Sequence, residues 1–173
     1  MNDVWNVSLT GNVEKLVDLL EKSPHLIDAP DICRTSPMYF AASRGHILII
    51  KTLVQKGSTA IDTPNSSGWT PLHAMAMGGH DSAIELIVEL GSEALDALDQ
   101  YNRTPISIAM IYANWTCVAT LKMLGANPAI GATYALTREQ HDYLYAPMDE
   151  NEIGKTRYRV YFQRSLVDRL LFQ

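Results

Sequence analysis

The sequence predicts an all-α solenoid of stacked helix-turn-helix-hairpin units, because the chain repeats itself at a step of 34 residues. Two features recur at this step. A serine or threonine precedes a proline at Ser36-Pro37, Thr70-Pro71 and Thr104-Pro105, and a glycine recurs at Gly11, Gly45 and Gly79. The segments between them have the apolar spacing of helices. A unit this short cannot bury its own apolar face, so its copies are expected to stack on one another.

The first helix of each unit is predicted to begin at the proline. The hydroxyl residue before the proline suits an N-cap, and proline suits the first helical position, where its missing N–H costs no hydrogen bond. Small residues follow, which let a neighbouring helix approach closely: Ala41, Ala42, Ala74, Ala76 and Ala109. Gly45 and Gly79 are predicted to end two of these helices, because glycine adopts the left-handed conformation without a Cβ penalty.

A second helix follows in each unit, and its apolar positions also recur at the 34-residue step. They fall into registers three and four residues apart, which favours a helix over a strand. One register holds Leu16, Ile50, Ile84 and Val118, and another holds Leu19, Leu53, Ile87 and Leu121. Gly57, Gly91 and Gly125 are predicted to stop the second helices, and polar loops such as residues 62–67 then lead to the next unit.

Two short segments resemble the ankyrin repeat: Gly68-Trp69-Thr70-Pro71-Leu72-His73-Ala74 and Gly125-Ala126-Asn127-Pro128. The resemblance covers residues 1–130, and it implies a non-enzymatic module that binds a protein partner. The predicted units are 1–30, 31–64, 65–98 and 99–130, of which the first lacks Thr-Pro.

The chain departs from the family pattern in two ways. Its internal units are one residue longer than usual, and we place the extra residue in the loops near 58–60 and 92–94. At the family's glycine before the hairpin turn, the chain has Arg34 and Asn102 as well as Gly68. Because arginine adopts the left-handed conformation poorly, the first full hairpin is expected to be distorted.

The resemblance also implies where a partner binds. Stacks of this family bind through the hairpin tips and the exposed ends of the first helices, which line a concave surface. The candidate partner-binding residues at these positions are Arg44, Trp69, Met77, Tyr101, Arg103 and Tyr112. Tryptophan, tyrosine and arginine dominate binding hot spots, which favours this assignment. The alternative is that Trp69 and Tyr101 only cover a neighbouring hairpin.

We expect no catalytic residue, no metal site and no cofactor. The five histidines never lie at metal-ligand spacing from cysteines or carboxylates, and the sequence has no glycine-rich phosphate loop. The resemblance implies that His73 bonds within its repeat and joins neighbouring turns, and that His46 and His80 occupy structural corners. The dense run of titratable groups at 138–142 is interpreted as a solvated helix face.

Charge and hydropathy narrow the class of partner. The 173-residue chain has a net charge of −5, so it lacks the basic surface that nucleic-acid binding requires. It has neither a run of 18 apolar residues nor a basic, then apolar, N-terminal segment, which predicts no membrane span and no secretory signal. Cys33 and Cys117 are interpreted as free thiols in a reducing compartment. We therefore expect a cytoplasmic monomer that binds a protein and no small-molecule substrate.

The segment 131–173 leaves the repeat pattern but holds seven of the fourteen aromatic residues, so it is expected to fold against something. A capping box at Thr137 predicts a helix to about Tyr145. Residues 147–154 are predicted to be an acidic loop, and the pattern of 155–164 fits a strand or a helix. One interpretation is that this segment caps the last unit. One alternative is that the protein is an adaptor, or a secreted bacterial effector in the host cytoplasm, and that this segment docks a second protein. The other is that the protein is an enzyme with its chemistry in residues 131–173.

Overall fold

Eight α-helices form four helix pairs between residues 3 and 131, the part of the chain that this computed structural model describes. The part described contains no strand, which confirms the predicted all-α solenoid. Short 3-10 turns follow the second helix at Pro24–Leu26 and Ala94–Asp96. The pairs are α1 (Val4–Thr10) with α2 (Val13–Lys22), α3 (Pro37–Ser43) with α4 (Ile47–Gln55), α5 (Pro71–Gly78) with α6 (Asp81–Glu89), and α7 (Pro105–Ile111) with α8 (Trp115–Met123).

The caps of the first helices are formed as the sequence predicts. Proline is the first residue of α3, α5 and α7. The hydroxyl of Ser36 accepts a hydrogen bond from the Tyr39 backbone N–H (N···O 3.2 Å). The hydroxyl of Thr104 likewise accepts one from the Ser107 N–H (3.4 Å). At the starts of α3 and α7, the cap therefore satisfies a backbone donor that would otherwise have no partner.

The helices stack in two layers. The first helices pack in the order α1, α3, α5 and α7, and the second helices in the order α2, α4, α6 and α8. The repeated register predicted for the core is fully buried, with no exposed area at Leu16, Ile50, Ile84 or Val118. The small residues of α3, α5 and α7 are also buried, which allows the first helices to approach closely. The core therefore runs continuously between the layers.

Hairpin turns precede α3, α5 and α7 and are nearly identical. In each turn, the N–H of the first residue donates to the carbonyl of the fifth, with N···O distances of 3.0 Å from Asp31, Asn65 and Asp99. Neighbouring hairpins are also joined, because the Ser66 N–H donates to the Cys33 carbonyl (2.9 Å) and the Gln100 N–H to the Ser67 carbonyl (3.0 Å). The three hairpin tips therefore form one continuous row.

The expected distortion of the first hairpin was wrong. Arg34 adopts the left-handed conformation (φ 60°), as Gly68 does in the second hairpin (φ 78°). The turn bond is equally formed in both, since the Arg34 N–H donates to the Asp31 carbonyl at 2.9 Å and the Gly68 N–H to the Asn65 carbonyl at 3.0 Å. Left-handed backbone costs roughly 1–2 kcal/mol for one residue. The hydrogen bonds of the turn and the packing of the next hairpin outweigh that cost.

A row of hydrogen bonds, which we call the loop ladder, joins the loops that follow the second helices. The sequence analysis missed the aspartates that accept these bonds. Asp28, Asp62 and Asp96 also recur at the 34-residue step. Each accepts a backbone N–H from the loop of the next unit: Asp28 from Thr59 (2.9 Å), Asp62 from Glu93 (2.8 Å) and Asp96 from Asn127 (2.8 Å). The loops near 58–60 and 92–94, where we placed the extra residue, thus contact the preceding unit.

The predictions for the segment after Gly131 lie outside the described residues. These are the helix from Thr137, the acidic loop at 147–154, the strand or helix at 155–164, and the titratable run at 138–142. Within residues 3–131, no helix has the length and apolar character needed to cross a membrane.

Candidate protein-binding surface

The first helices contribute an uncharged face. Helices α1, α3, α5 and α7 contain no Asp, Glu, Lys or Arg. The charged residues within helices lie in the second layer, on α2, α4, α6 and α8. The centres of protein interfaces are depleted of charged residues, so the layer of first helices is the better candidate for a binding face.

Three of the six predicted site residues meet at the hairpin tips. The Arg103 guanidinium carbon lies 4.9 Å from the centre of the Tyr101 ring and 5.6 Å from that of the Trp69 ring. Both distances fall within the range of cation–π interactions. We call Trp69, Asp99, Tyr101 and Arg103 the hairpin cluster.

Asp99 holds the hairpin cluster together. Its Oδ2 accepts hydrogen bonds from the Trp69 indole N–H (3.0 Å) and the Arg103 Nε–H (2.7 Å), and lies 2.6 Å from Arg103 Nη2. Its Oδ1 accepts the backbone N–H groups of Tyr101 (2.8 Å) and Arg103 (2.9 Å). The Asp99 side chain has no exposed area, and that of Arg103 is 18% exposed. The cluster therefore ties the second hairpin to the third.

The pKa of Asp99 reflects this environment. Burial of the carboxylate raises its pKa. The hydrogen bonds from the Arg103 side chain and from two backbone N–H groups, together with the Arg103 charge, lower the pKa by more than burial raises it. The resulting pKa lies below the ordinary value for aspartate. Sequence analysis missed Asp99, although the signal was an aspartate at the first hairpin position with an arginine four residues later.

His73 connects the same two units, as the resemblance implies. Its Nδ1 accepts from the Thr70 N–H (3.2 Å), and its Nε2 lies 3.0 Å from the Arg103 carbonyl. Nε2 must be the donor in that bond, because a carbonyl only accepts. Burial lowers the pKa of His73 and the bond to the Arg103 carbonyl opposes this; the net pKa lies below its ordinary value. The ring is thus neutral at pH 7 and has a structural role.

The corner residues after the first helices also join units. His46 Nε2 lies 3.0 Å from the Leu9 carbonyl, and His80 Nε2 lies 3.1 Å from the Ser43 carbonyl. Asn114 takes the same position in the fourth unit and donates to the Met77 carbonyl (2.8 Å). These corners therefore have the structural role expected for His46 and His80.

The other three predicted site residues lie at the far ends of the first helices. Arg44 follows α3 and is exposed, Met77 is half-buried in the last turn of α5, and Tyr112 follows α7 with 52% of its surface exposed. Helices of seven or eight residues are about 10–12 Å long, which separates these ends from the helix starts beside the hairpins. We call Arg44, Met77 and Tyr112 the helix-end row.

Exposure divides the predicted residues into two kinds. Tyr101 is 57% exposed and Tyr112 is 52% exposed, whereas Trp69 is half-buried against the core. The Trp69 indole also bonds to Asp99 of the next hairpin, a contact that is compatible with both interpretations of this residue. Its contact with a partner stays a prediction, as do the contacts of the other five residues.

Other chemistry is sparse in the part of the chain that the structure describes. Between residues 3 and 131, no three His, Cys, Asp or Glu side chains form a group that could hold a metal ion. Cys33 is exposed at a hairpin tip, and Cys117 is buried in α8; both are free thiols. Burial raises the pKa of Cys117 to about 12, so its thiol is protonated at neutral pH.

Comparison with known proteins agrees with the geometry. A family model for ankyrin repeats matches the chain in three copies, over residues 5–93 and 38–131. Comparison with curated proteins gives no match. Ankyrin repeats are generally protein–protein interaction modules, and the family is typically non-enzymatic.

Proposed function

The chain belongs to the ankyrin repeat family, and we propose that it binds a protein partner through the hairpin cluster and the helix-end row. The observation that carries this proposal is the exposure of two large aromatic side chains beside the uncharged first helices, Tyr101 at 57% in the third hairpin and Tyr112 at 52% after α7. Tyrosine offers a large contact area with few rotatable bonds and a polar tip, which suits a binding surface.

The hairpin cluster also supports recognition because its side chains have a fixed arrangement. Arg103 is held by Asp99 and packs against the Tyr101 ring, so a partner does not have to order it. Immobilising a flexible side chain on binding costs about 0.5–1.5 kcal/mol. A preformed arginine between two aromatic rings avoids most of that cost.

The other predicted roles concern a different part of the chain. Docking of a second protein, as in an adaptor or secreted effector, and chemistry in residues 131–173 both involve residues that lie outside the described range, apart from Gly131. A cytoplasmic location and a monomeric state stay predictions.

Site-specific photo-crosslinking tests the proposed surface. A photoreactive phenylalanine replaces Tyr101 or Tyr112 in the full chain, and the matched control carries it at Leu48, which is 67% exposed on α4 in the other layer. We expect one protein to be crosslinked in the native cell from positions 101 and 112 but not from 48.

The affinity of the identified partner is then measured for Tyr101→Ala, Tyr112→Ala and Leu48→Ala. Loss of a hot-spot side chain costs more than 1.4 kcal/mol, so the tyrosine variants are expected to bind about tenfold more weakly or worse. Leu48→Ala is expected to bind as the unchanged chain does. Equal affinities for all three variants would overturn the proposed surface.

A further inference from the structure

Helix α8 is buried around more of its circumference than the second helix of any other unit. In α4 the buried residues are Ile49, Ile50 and Leu53, which lie on one face. In α8 they are Trp115 and all five residues of 117–121. Successive helical residues are rotated by about 100°, so five in a row point to all sides of the helix. Neighbours on one side alone cannot cover them.

The position of α8 in the stack makes this burial unexpected. Helix α4 packs between α2 and α6, and yet Lys51 on its outer side is exposed. Ala119 occupies the same register in α8, at the end of the described stack, where α6 and α7 pack against it. Ala119 is nevertheless only 4% exposed, and Trp115, one turn earlier, is 8% exposed. This side of α8 is therefore more buried than its place at the end of the described stack predicts.

The chain continues from a point beside this helix pair. Gly131 is pressed against the fourth unit, since a Cβ there would lie 2.9 Å from the Asn102 carbonyl oxygen and 3.2 Å from Thr104 Cγ2. The sequence then runs on for 42 residues. A nine-residue helix is only about 14 Å long, and an extended chain covers about 3.4 Å per residue. The remaining segment is therefore long enough to cross α8 several times.

The composition of this segment suits an apolar contact. Residues 132–173 hold seven aromatic side chains, half of those in the chain. Each buries a large apolar area, and a tryptophan such as Trp115 presents a matching surface. We propose that residues 132–173 pack across α8 and cover Trp115 and Ala119. This segment then forms the end of the stack, and a second protein is not needed to cover it.

The test places a lysine under the proposed cover in the full-length chain. Ala119→Lys introduces the residue that α4 has at this register, so the helix itself tolerates it. Thr116→Lys is the matched control, because Thr116 is an exposed residue of the same helix. The measurement is hydrogen–deuterium exchange of peptides from 132–173, from α8 and from α3.

In the unchanged chain, we expect peptides within 132–173 to exchange at least tenfold more slowly than an unstructured chain. Ala119→Lys removes this protection and loosens α8 but leaves α3 unchanged, whereas Thr116→Lys changes none of the three. Exchange of the whole 132–173 segment at unstructured rates in the unchanged chain overturns the proposal. So does a folded Ala119→Lys variant whose exchange equals that of Thr116→Lys.

A second variant covers the case in which Ala119→Lys fails to fold. A protease site inserted after Gly131 allows the folded chain to be cut without changing its other residues. We expect the two pieces to co-elute on gel filtration, or to separate with loss of protection in α8. Pieces that separate while α8 keeps its protection overturn the proposal, because another cover of the helix would then be required.

Discussion

Replacing Asp99 with asparagine tests whether the hairpin cluster holds the third and fourth units together. The side chain of Asn65 shows what the substitution keeps, because its Oδ1 accepts the backbone N–H groups of Ser67 (2.9 Å) and Trp69 (3.0 Å) in the second hairpin. An asparagine at position 99 can do the same in the third hairpin. What it loses is the second carboxylate oxygen and the negative charge.

The magnitude follows from the groups that this oxygen serves. Oδ2 of Asp99 accepts from the Trp69 indole and lies within 2.7 Å of two Arg103 nitrogens. Hydrogen bonds to charged groups contribute about 1.5–3 kcal/mol, and removing one partner of a buried ion pair costs about 3–5 kcal/mol. The Arg103 side chain is 18% exposed, so water recovers part of that loss. We expect Asp99→Asn to lower the free energy of unfolding by about 2–4 kcal/mol.

The assay is equilibrium urea unfolding followed by far-UV circular dichroism. With a urea dependence of about 2 kcal/mol/M, the midpoint falls by about 1–2 M. Asp31→Asn is the matched control. The Asp31 carboxylate accepts the backbone N–H groups of Cys33 (2.8 Å) and Thr35 (2.7 Å) through Oδ1, the oxygen that an asparagine keeps. It should change the free energy of unfolding by less than about 0.5 kcal/mol. Equal shifts for the two variants would refute the reasoning.

The same variant has a defined pH dependence. The folded-state pKa of Asp99 lies below its unfolded value of about 3.9. Its contribution to stability is therefore complete above pH 4–5 and is lost as the pH falls through the folded-state pKa. The difference in unfolding free energy between the unchanged chain and Asp99→Asn should stay constant from about pH 8 to 5 and shrink below about pH 4. A difference that grows in acid contradicts this assignment.

Four further outcomes follow from other positions in the described residues. Among the described residues, the buried hydroxyl of Ser8 has no hydrogen-bond partner, so Ser8→Ala should raise the unfolding free energy by about 1 kcal/mol in urea titrations. Ala113 has φ 55°, so Ala113→Gly should stabilise by about 0.5–1 kcal/mol. By contrast, Gly45→Ala should destabilise, because its Cβ would lie 2.8 Å from the next corner histidine; a gain there contradicts the argument. A thiol reagent at pH 8 should modify exposed Cys33 and spare buried Cys117, as mass spectrometry reports, with both modified in urea.

The helices and the core could be predicted because each rests on a signal within about ten residues that recurs at a fixed step. The cap at Ser36 needs only the proline after it, and the buried register through Ile50 and Ile84 needs only helical spacing. Arg34 was judged by its own conformational preference, and that judgement failed. The bonds of the turn and the hairpin beside it hold the backbone, which overrides the preference of a single residue.

The hairpin cluster could not be predicted in the same way. Trp69 and Arg103 lie at equivalent positions of adjacent units, and the sequence showed both as exposed tips. Their shared contact with Asp99 depends on how closely adjacent units stack. This stacking brings the Trp69 indole nitrogen within 3.0 Å of Asp99 Oδ2, although the two residues are 30 apart in the sequence. The loop ladder through Asp28 was missed for a similar reason, since its partner, Thr59, belongs to the next unit.

Residue type and position in the repeat predicted Trp69, Arg103, Tyr101 and Tyr112 as partner contacts, and the geometry separates them. The indole N–H of Trp69 and the guanidinium of Arg103 both bond to Asp99. An alanine at either position therefore lowers stability together with any contact it removes, so weaker capture of a partner by these variants has two causes. Tyr101 and Tyr112 expose more than half of their surface. Their alanine variants remove mainly contact area. If such a variant binds the partner more weakly but unfolds at the same urea concentration, the loss of affinity assigns this surface to the partner.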